Sequence, residues 1–169
     1  EGGGGNYGST SGGFDQLGFT TLTCTIDKTP VANGKYYIIS RADGKYLDNL
    51  GVATNGAPVA QWQGSGSNNQ KWNVTYYGGG YYRISCVTGG LYLDDLGHNS
   101  NGSSVNQWGS SASFNQQWMI VPAGSYYKII ARNSGLCLDT GGLTANGSTM
   151  QQWSSGGSYN QQWTITAAP

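Results

Sequence analysis

Three Leu-Asp aspartates, six tryptophans and the Asn-Gln of three Asn-Gln-x-Trp stretches are the residues of this chain that could do chemistry, and they recur at one spacing. Asp48, Asp94 and Asp139 each follow a leucine, in "YLD", "YLD" and "CLD", 46 and 45 residues apart. Trp72, Trp118 and Trp163 end the stretches "NQKW", "NQQW" and "NQQW" at the same two intervals. Trp62, Trp108 and Trp153 each follow a glutamine and open a Gly/Ser-rich stretch. Each copy thus offers a carboxylate, amides and an indole, which can hydrogen-bond neutral hydroxyls beside a flat apolar face. Acids spread this way make three similar sites, not the one positioned carboxylate pair that glycoside hydrolysis needs. Glu1 is the only glutamate, and the single histidine, His98, sits in the turn "GHNSN" without a repeated partner. Asp94 and Asp95 are neighbours in a strand pattern and would point to opposite faces. No Cys/His metal spacing and no phosphate-cradling glycine loop before a helix is present. The expectation is a binding protein, not an enzyme, with no metal and no cofactor.

Composition narrows the partner. The 169 residues carry 8 basic and 8 acidic side chains and no basic cluster, which excludes a nucleic-acid or anionic-membrane footprint. No apolar run reaches membrane-spanning length. Six Trp, 12 Tyr and 3 Phe beside many Ser, Thr, Asn and Gln suit a neutral, hydroxyl-rich partner, and equally a plain β-rich secreted protein. Three cysteines allow at most one internal bridge. The chain has no initiator Met and no signal-like segment, as in a processed secreted protein or an excised portion of a longer one.

The elements that must position these residues follow from the repeat. Residues 34–78, 79–123 and 124–169 align, and each holds about four short strand candidates. In the first copy these are Tyr36–Ser40, Lys45–Asn49, Pro58–Gln63 and Gln70–Tyr76. Gly, Asn and Ser clusters separate them, including Asn-Gly pairs at Asn55, Asn101 and Asn146 that favour tight turns. Roughly twelve strands in three units are too few for a propeller, and a solenoid would need atypical ends. An all-β, closed β-trefoil with pseudo-three-fold symmetry fits. Trp72, Trp118 and Trp163 lie in alternating apolar strands and read as core, with Ile38, Leu47, Ile84, Leu93, Ile129 and Leu138. Trp62, Trp108 and Trp153 are either exposed platforms or covers for one end of the barrel. The Asp after each buried Leu should point outward, to hold a ligand or to stabilise a turn. Asn69, Asn115 and Asn160 are ligand contacts or turn formers. Residues 1–33 stand apart as an N-terminal extension. The first 13 are Gly-rich linker, and "LTCTI" alternates like a strand that either lies along the trefoil or ends another domain. Were it docked, Cys24 could bridge to Cys86.

Leu-Asp, then Gln-Trp, then Gln-x-Trp in three registered copies resembles the ricin-B-type β-trefoil lectins. Within them it is most similar to the family 13 carbohydrate-binding modules of polysaccharide-degrading enzymes. The resemblance covers about Gly34 to Thr166. It implies a non-catalytic, secreted, monomeric module that binds polysaccharide and delivers a covalently attached upstream glycoside hydrolase or lyase. The alternative is a stand-alone lectin or toxin-type subunit for cell-surface glycans. The resemblance assigns sugar hydrogen bonding to Asp48, Asp94 and Asp139, stacking to Trp62, Trp108 and Trp153, and further contacts to Asn69, Asn115 and Asn160. Gln70, Gln116 and Gln161 count with the carbohydrate-binding residues, and should also brace the backbone and the nearby Asp. Two residues before the platform, Gln151 matches a sugar-contacting Gln, Asn106 is a shorter substitute, and Ala60 cannot hydrogen-bond. The third site should therefore be the strongest and the first the weakest. Many relatives carry a disulfide from the Cys137 position to just after the platform Trp. Here Ser154 and Ser155 follow Trp153, and Tyr46 and Tyr92 replace the other two cysteines, which should fill that space by packing.

Overall fold

The computed structural model describes residues 29–169. The first repeat contributes β1 (Gly34–Ser40), β2 (Tyr46–Asp48), β3 (Ala60–Trp62) and β4 (Trp72–Gly78). The second contributes β5 (Tyr81–Cys86), β6 (Tyr92–Asp94), β7 (Asn106–Trp108) and β8 (Trp118–Ala123). The third contributes β9 (Tyr126–Ala131), β10 (Cys137–Asp139), β11 (Gln151–Trp153) and β12 (Trp163–Ala167). The strands form where aromatic and β-branched residues alternate in burial. In β5, Tyr82, Ile84 and Cys86 are buried while Tyr81, Arg83 and Ser85 are half-buried.

Antiparallel pairing runs β1–β4–β5–β8–β9–β12 and returns to β1, so six long strands close into a barrel without a free edge. The short hairpins β2–β3, β6–β7 and β10–β11 form the cap. A ring of backbone bonds joins them: Val59 N–H to Val105 O (3.3 Å), Val105 N–H to Met150 O (3.1 Å), Met150 N–H to Val59 O (2.8 Å). The molecule is a β-trefoil, all-β among the described residues.

Ile38, Leu47, Ile84, Leu93, Ile129, Leu138, Trp72, Trp118 and Trp163 are fully buried in one core. The three indole N–H groups donate to the carbonyls of Leu47, Leu93 and Leu138 at 2.9, 3.0 and 3.2 Å, so none of the three buried indole donors is left unpaired. Each bond ties the residue before an Asp to the strand that closes the same repeat.

Several details depart from the pattern read in the sequence. The cap strands are only three residues long, and Gln70 lies in a 3₁₀ turn, Asn68–Gln70, instead of opening β4. The core also reaches back beyond Gly34. Val31 is buried, its N–H donates to the Tyr82 hydroxyl (3.2 Å), and that hydroxyl donates to its carbonyl (3.0 Å). The strand over "LTCTI" and the Cys24 partner of the Cys86 bridge lie outside the described residues. Cys86 and Cys137 are buried; burial pushes the Cys86 thiol up to about 12 and raises that of Cys137. Where Cys137 stands in the third repeat, Tyr46 packs edge-on to Tyr37 (5.2 Å between centroids). A Cβ on Gly64 would come within 2.7 Å of the Tyr46 ring, so that crossing needs glycine. Tyr92 is covered by the Arg83 guanidinium, 3.8 Å from its centroid.

Candidate functional site

Asp48, Asp94 and Asp139 end the first strands of the cap hairpins, where the chain turns back over them. They leave the core as alternation requires, but only 4–5 % of their surface is exposed, less than an outward-pointing aspartate would show. The cause is local. One carboxylate oxygen accepts the backbone N–H two residues on, at Leu50 (2.6 Å), Leu96 (2.7 Å) and Gly141 (2.5 Å). The other accepts the side-chain amide of Gln70, Gln116 or Gln161 at 2.9 Å. An ionised carboxylate has about four acceptor positions, so each keeps room for further donors.

The same three glutamines do more than brace the acid. Each Nε2 also donates to the residue after the platform tryptophan, Gln63 O (2.9 Å), Gly109 O (2.7 Å) or Ser154 O (2.9 Å). Each Oε1 accepts a loop N–H, from Ser65, Ser111 or Gly156, at 2.8–2.9 Å. One buried amide thus fixes the carboxylate relative to the platform in every repeat. Gln70 and Gln116 sit behind the cavity wall and act through the Asp, whereas Gln161 also lines its cavity.

Trp62, Trp108 and Trp153 are 40, 43 and 44 % exposed, so they do not seal the barrel end. Each is held by a neighbouring repeat. Asn55 Oδ1 accepts the Gly109 N–H (2.8 Å), Asn101 Oδ1 that of Ser154 (2.8 Å), and Asn146 Oδ1 that of Gln63 (2.9 Å). The glycines of the same Asn-Gly pairs pass so close that a Cβ would lie 3.4–3.6 Å from the Trp108, Trp153 and Trp62 rings. The Asn-Gly turns therefore back the platforms as well as reversing the chain.

These pieces form three shallow cavities of about 390, 400 and 410 Å³, near the lower end of the range for small-ligand sites. Site 1 is lined by Asp48, Leu50, Trp62, Ser65, Ser67 and Asn69. Site 2 has Asp94, Leu96, Trp108, Ser111, Ser113 and Asn115 in the same places. Site 3 has Asp139, Gly141, Trp153, Ser158 and Asn160, and adds Gln151. Among the described residues the side chains of Asn115 and Asn160 make no hydrogen bond, while Asn69 Oδ1 accepts from Thr88 (2.9 Å). Gln151 reaches Asp139 at 3.4 Å. Asn106 does not line site 2; its amide donates to Gly56 O (2.7 Å) in the preceding repeat. Ala60 is buried in the cap.

Sequence reasoning noted a second glutamine in each repeat but gave it no role. Gln61, Gln107 and Gln152, directly before the platforms, are fully buried and donate to Leu143 O, Val52 O and His98 O of a neighbouring repeat. They anchor the loop that follows the next site's Asp. The signal was present, since glutamine fills that slot in all three copies.

A closed trefoil with one carboxylate–amide–indole cavity per repeat defines a class of three-fold binding domains. The family model of the ricin-type beta-trefoil lectin domain-like proteins matches residues 22–108, 68–153 and 114–169, and the chain belongs to that family. No curated protein matches it. Among solved structures it is similar to ThreeFoil, a designed 3-fold symmetric protein: 38 % identity, TM-score 0.77, over 79 % of this chain and 99 % of that one. It is also similar to an exo-beta-1,3-galactanase from Clostridium thermocellum: 34 % identity, TM-score 0.76, over 82 % of this chain but 31 % of that one. The Rhizoctonia solani agglutinin matches at 26 % identity and TM-score 0.72, over 81 % of this chain and 96 % of that one.

Proposed function

We propose that this protein is a non-catalytic carbohydrate-binding module that holds polysaccharide at up to three sites and brings an attached glycoside hydrolase or lyase to its substrate. The observation that carries this reading is the threefold recurrence of an exposed indole beside a braced carboxylate and a half-buried Asn. A pyranose can lay its C–H face on the indole while vicinal hydroxyls donate to the carboxylate, and charge-assisted bonds are the stronger kind. Each site is shallow and weak alone. Three on one rigid body gain by effective concentration on a repeating polymer. The galactanase match, in which the similar region is under a third of that chain, supports attachment to an enzyme. In this reading the trefoil, from Val31 onward, is the module, the residues before it connect it to the catalytic domain, and the protein works outside the cell as a monomer. The agglutinin match, which spans nearly all of that chain, favours a second reading as a stand-alone glycan lectin.

Affinity electrophoresis against plant, algal and microbial polysaccharides tests the proposal, with a Trp62/Trp108/Trp153→Ala triple variant beside the wild type. Retardation by one polymer class, lost in the folded variant, is expected. No retardation by any polymer sinks the polysaccharide reading and moves weight to a cell-surface glycan or to a trefoil that binds no sugar.

A further inference from the structure

Leu50 and Leu96 are the two non-glycine residues with positive φ among the described residues, at 59° and 56°. A bulky L-residue avoids this left-handed region, because its Cβ crowds the following carbonyl. The turn itself does not call for leucine. Gly141 holds the corresponding place in the third repeat at φ 68°, with the same N–H bond to its aspartate. The strain in repeats 1 and 2 therefore serves the side chain, and both leucines line their cavities.

In the third repeat that space belongs to Gln151. A Cβ built on Gly141 would lie 3.2 Å from its Nε2 and 3.3 Å from its Cδ, so a side chain there would crowd Gln151 out of its present position. The partner positions in the other repeats leave room for leucine. Ala60 is short, and the Asn106 amide is turned away to Gly56 O. Sites 1 and 2 thus share an aliphatic wall, and site 3 has an amide wall.

We propose that Leu50 and Leu96 are specificity residues that make sites 1 and 2 select a saccharide unit without an exocyclic hydroxymethyl group, while Gln151 fits site 3 to a unit that carries one. This rests on the reading that the cavities bind saccharide. A hydroxyl pressed against leucine methyls loses its water and gains no partner, whereas a ring methylene loses nothing. At site 3 the amide can replace the lost water.

The test titrates the ¹⁵N-indole signals of Trp62, Trp108 and Trp153, assigned by single Trp→Phe variants, with matched methyl glycosides. Xyloside against glucoside, and arabinopyranoside against galactoside, differ only in the exocyclic group. In at least one pair, Trp62 and Trp108 are expected to respond at roughly tenfold lower concentration of the pentoside, as about one unsatisfied hydroxyl would dictate. Trp153 is expected to respond equally or in the reverse order. A Leu50→Gly/Leu96→Gly variant, which relieves the left-handed strain and so retains the fold, is expected to lose the pentoside preference at Trp62 and Trp108 alone. The same order at all three indoles, or a preference that survives in the double variant, overturns the proposal and leaves the saccharide reading standing. Indoles that respond to polymer but to none of the four glycosides also overturn it, because a unit-level preference must be readable at one unit. Indoles that respond neither to the glycosides nor to the polysaccharide panel remove the saccharide reading, and this proposal with it.

Discussion

Asp95 takes the place that Asn49 holds in the first repeat and Thr140 in the third, and of these three only Asp95 can ionise. All three are fully buried beneath their sites. Burial pushes the Asp95 carboxyl up to about 6; the Gly97 N–H, the nearby Asn133 amide and His98 oppose that rise, and the Asp94 carboxylate adds to it. The unfolded chain holds this group near 3.8, so between about pH 4 and 6 the folded state binds the extra proton. Stability from this residue therefore falls as pH rises through that window, and the ionised form is a burden at neutral pH. Asp95→Asn copies the first repeat and retains an acceptor for Gly97. It is expected to stabilise the protein by roughly 2–3 kcal/mol at pH 7, and by almost nothing at pH 4. Urea unfolding at the two pH values checks this, and an equal gain at both would contradict it. The buried thiols make a second prediction at this scale. Cys86 and Cys137 should resist iodoacetamide at pH 8 in the folded protein and react in urea, read by intact mass.

At the scale of elements, the hinge of each site is a turn from another repeat. Asn101 belongs to repeat 2, yet its Oδ1 takes the N–H and hydroxyl of Ser154, beside the repeat 3 platform. Asn101→Ala should therefore weaken ligand response at Trp153 while leaving Trp108 unchanged, and cost about 1 kcal/mol of stability. A loss confined to Trp108 would show that each turn serves only its own repeat. This crossing was not legible in the sequence. The Asn-Gly pairs announced turns, and the period placed six tryptophans in two slots, because both signals are local or periodic. That Asn55 grips Gly109, or that Gln107 holds Val52 O, depends on how the repeats close on one another. Strand lengths failed for a related reason. Leu-Asp and Gln-Trp read as strand cores, but side-chain bonds from Gln70 and Asp48 replace ladder bonds and stop pairing after three residues. Asn106 misled in the same way, since only the fold shows its amide serving Gly56.

The whole molecule sets three similar cavities on one closed barrel, and in the proposed reading each is a weak sugar site. Each platform ring is exposed, unlike the buried Trp72, Trp118 and Trp163, whose loss would open a core cavity costing about 3–5 kcal/mol. Truncating one platform should leave the melting temperature within a few degrees of wild type. It should also leave single-sugar affinity at the other two sites intact, because each remaining cavity keeps its own carboxylate and indole. On a polymer the consequence is larger. Once one site is held, the next meets its ligand at a millimolar effective concentration, so every working site multiplies the total. A single Trp→Ala variant should lose about one to two orders of magnitude of apparent affinity for polysaccharide, and the triple variant nearly all of it. The three single losses need not be equal. Site 3 has an extra amide at Gln151, so for a ligand bearing the matching hydroxyl Asp139→Ala should cost more binding than Asp48→Ala. Titrating polymer and single sugar side by side, with the three single-platform variants, separates the terms. If polymer and single-sugar affinities fall by the same factor, the sites act independently and the trefoil gains nothing from holding three of them.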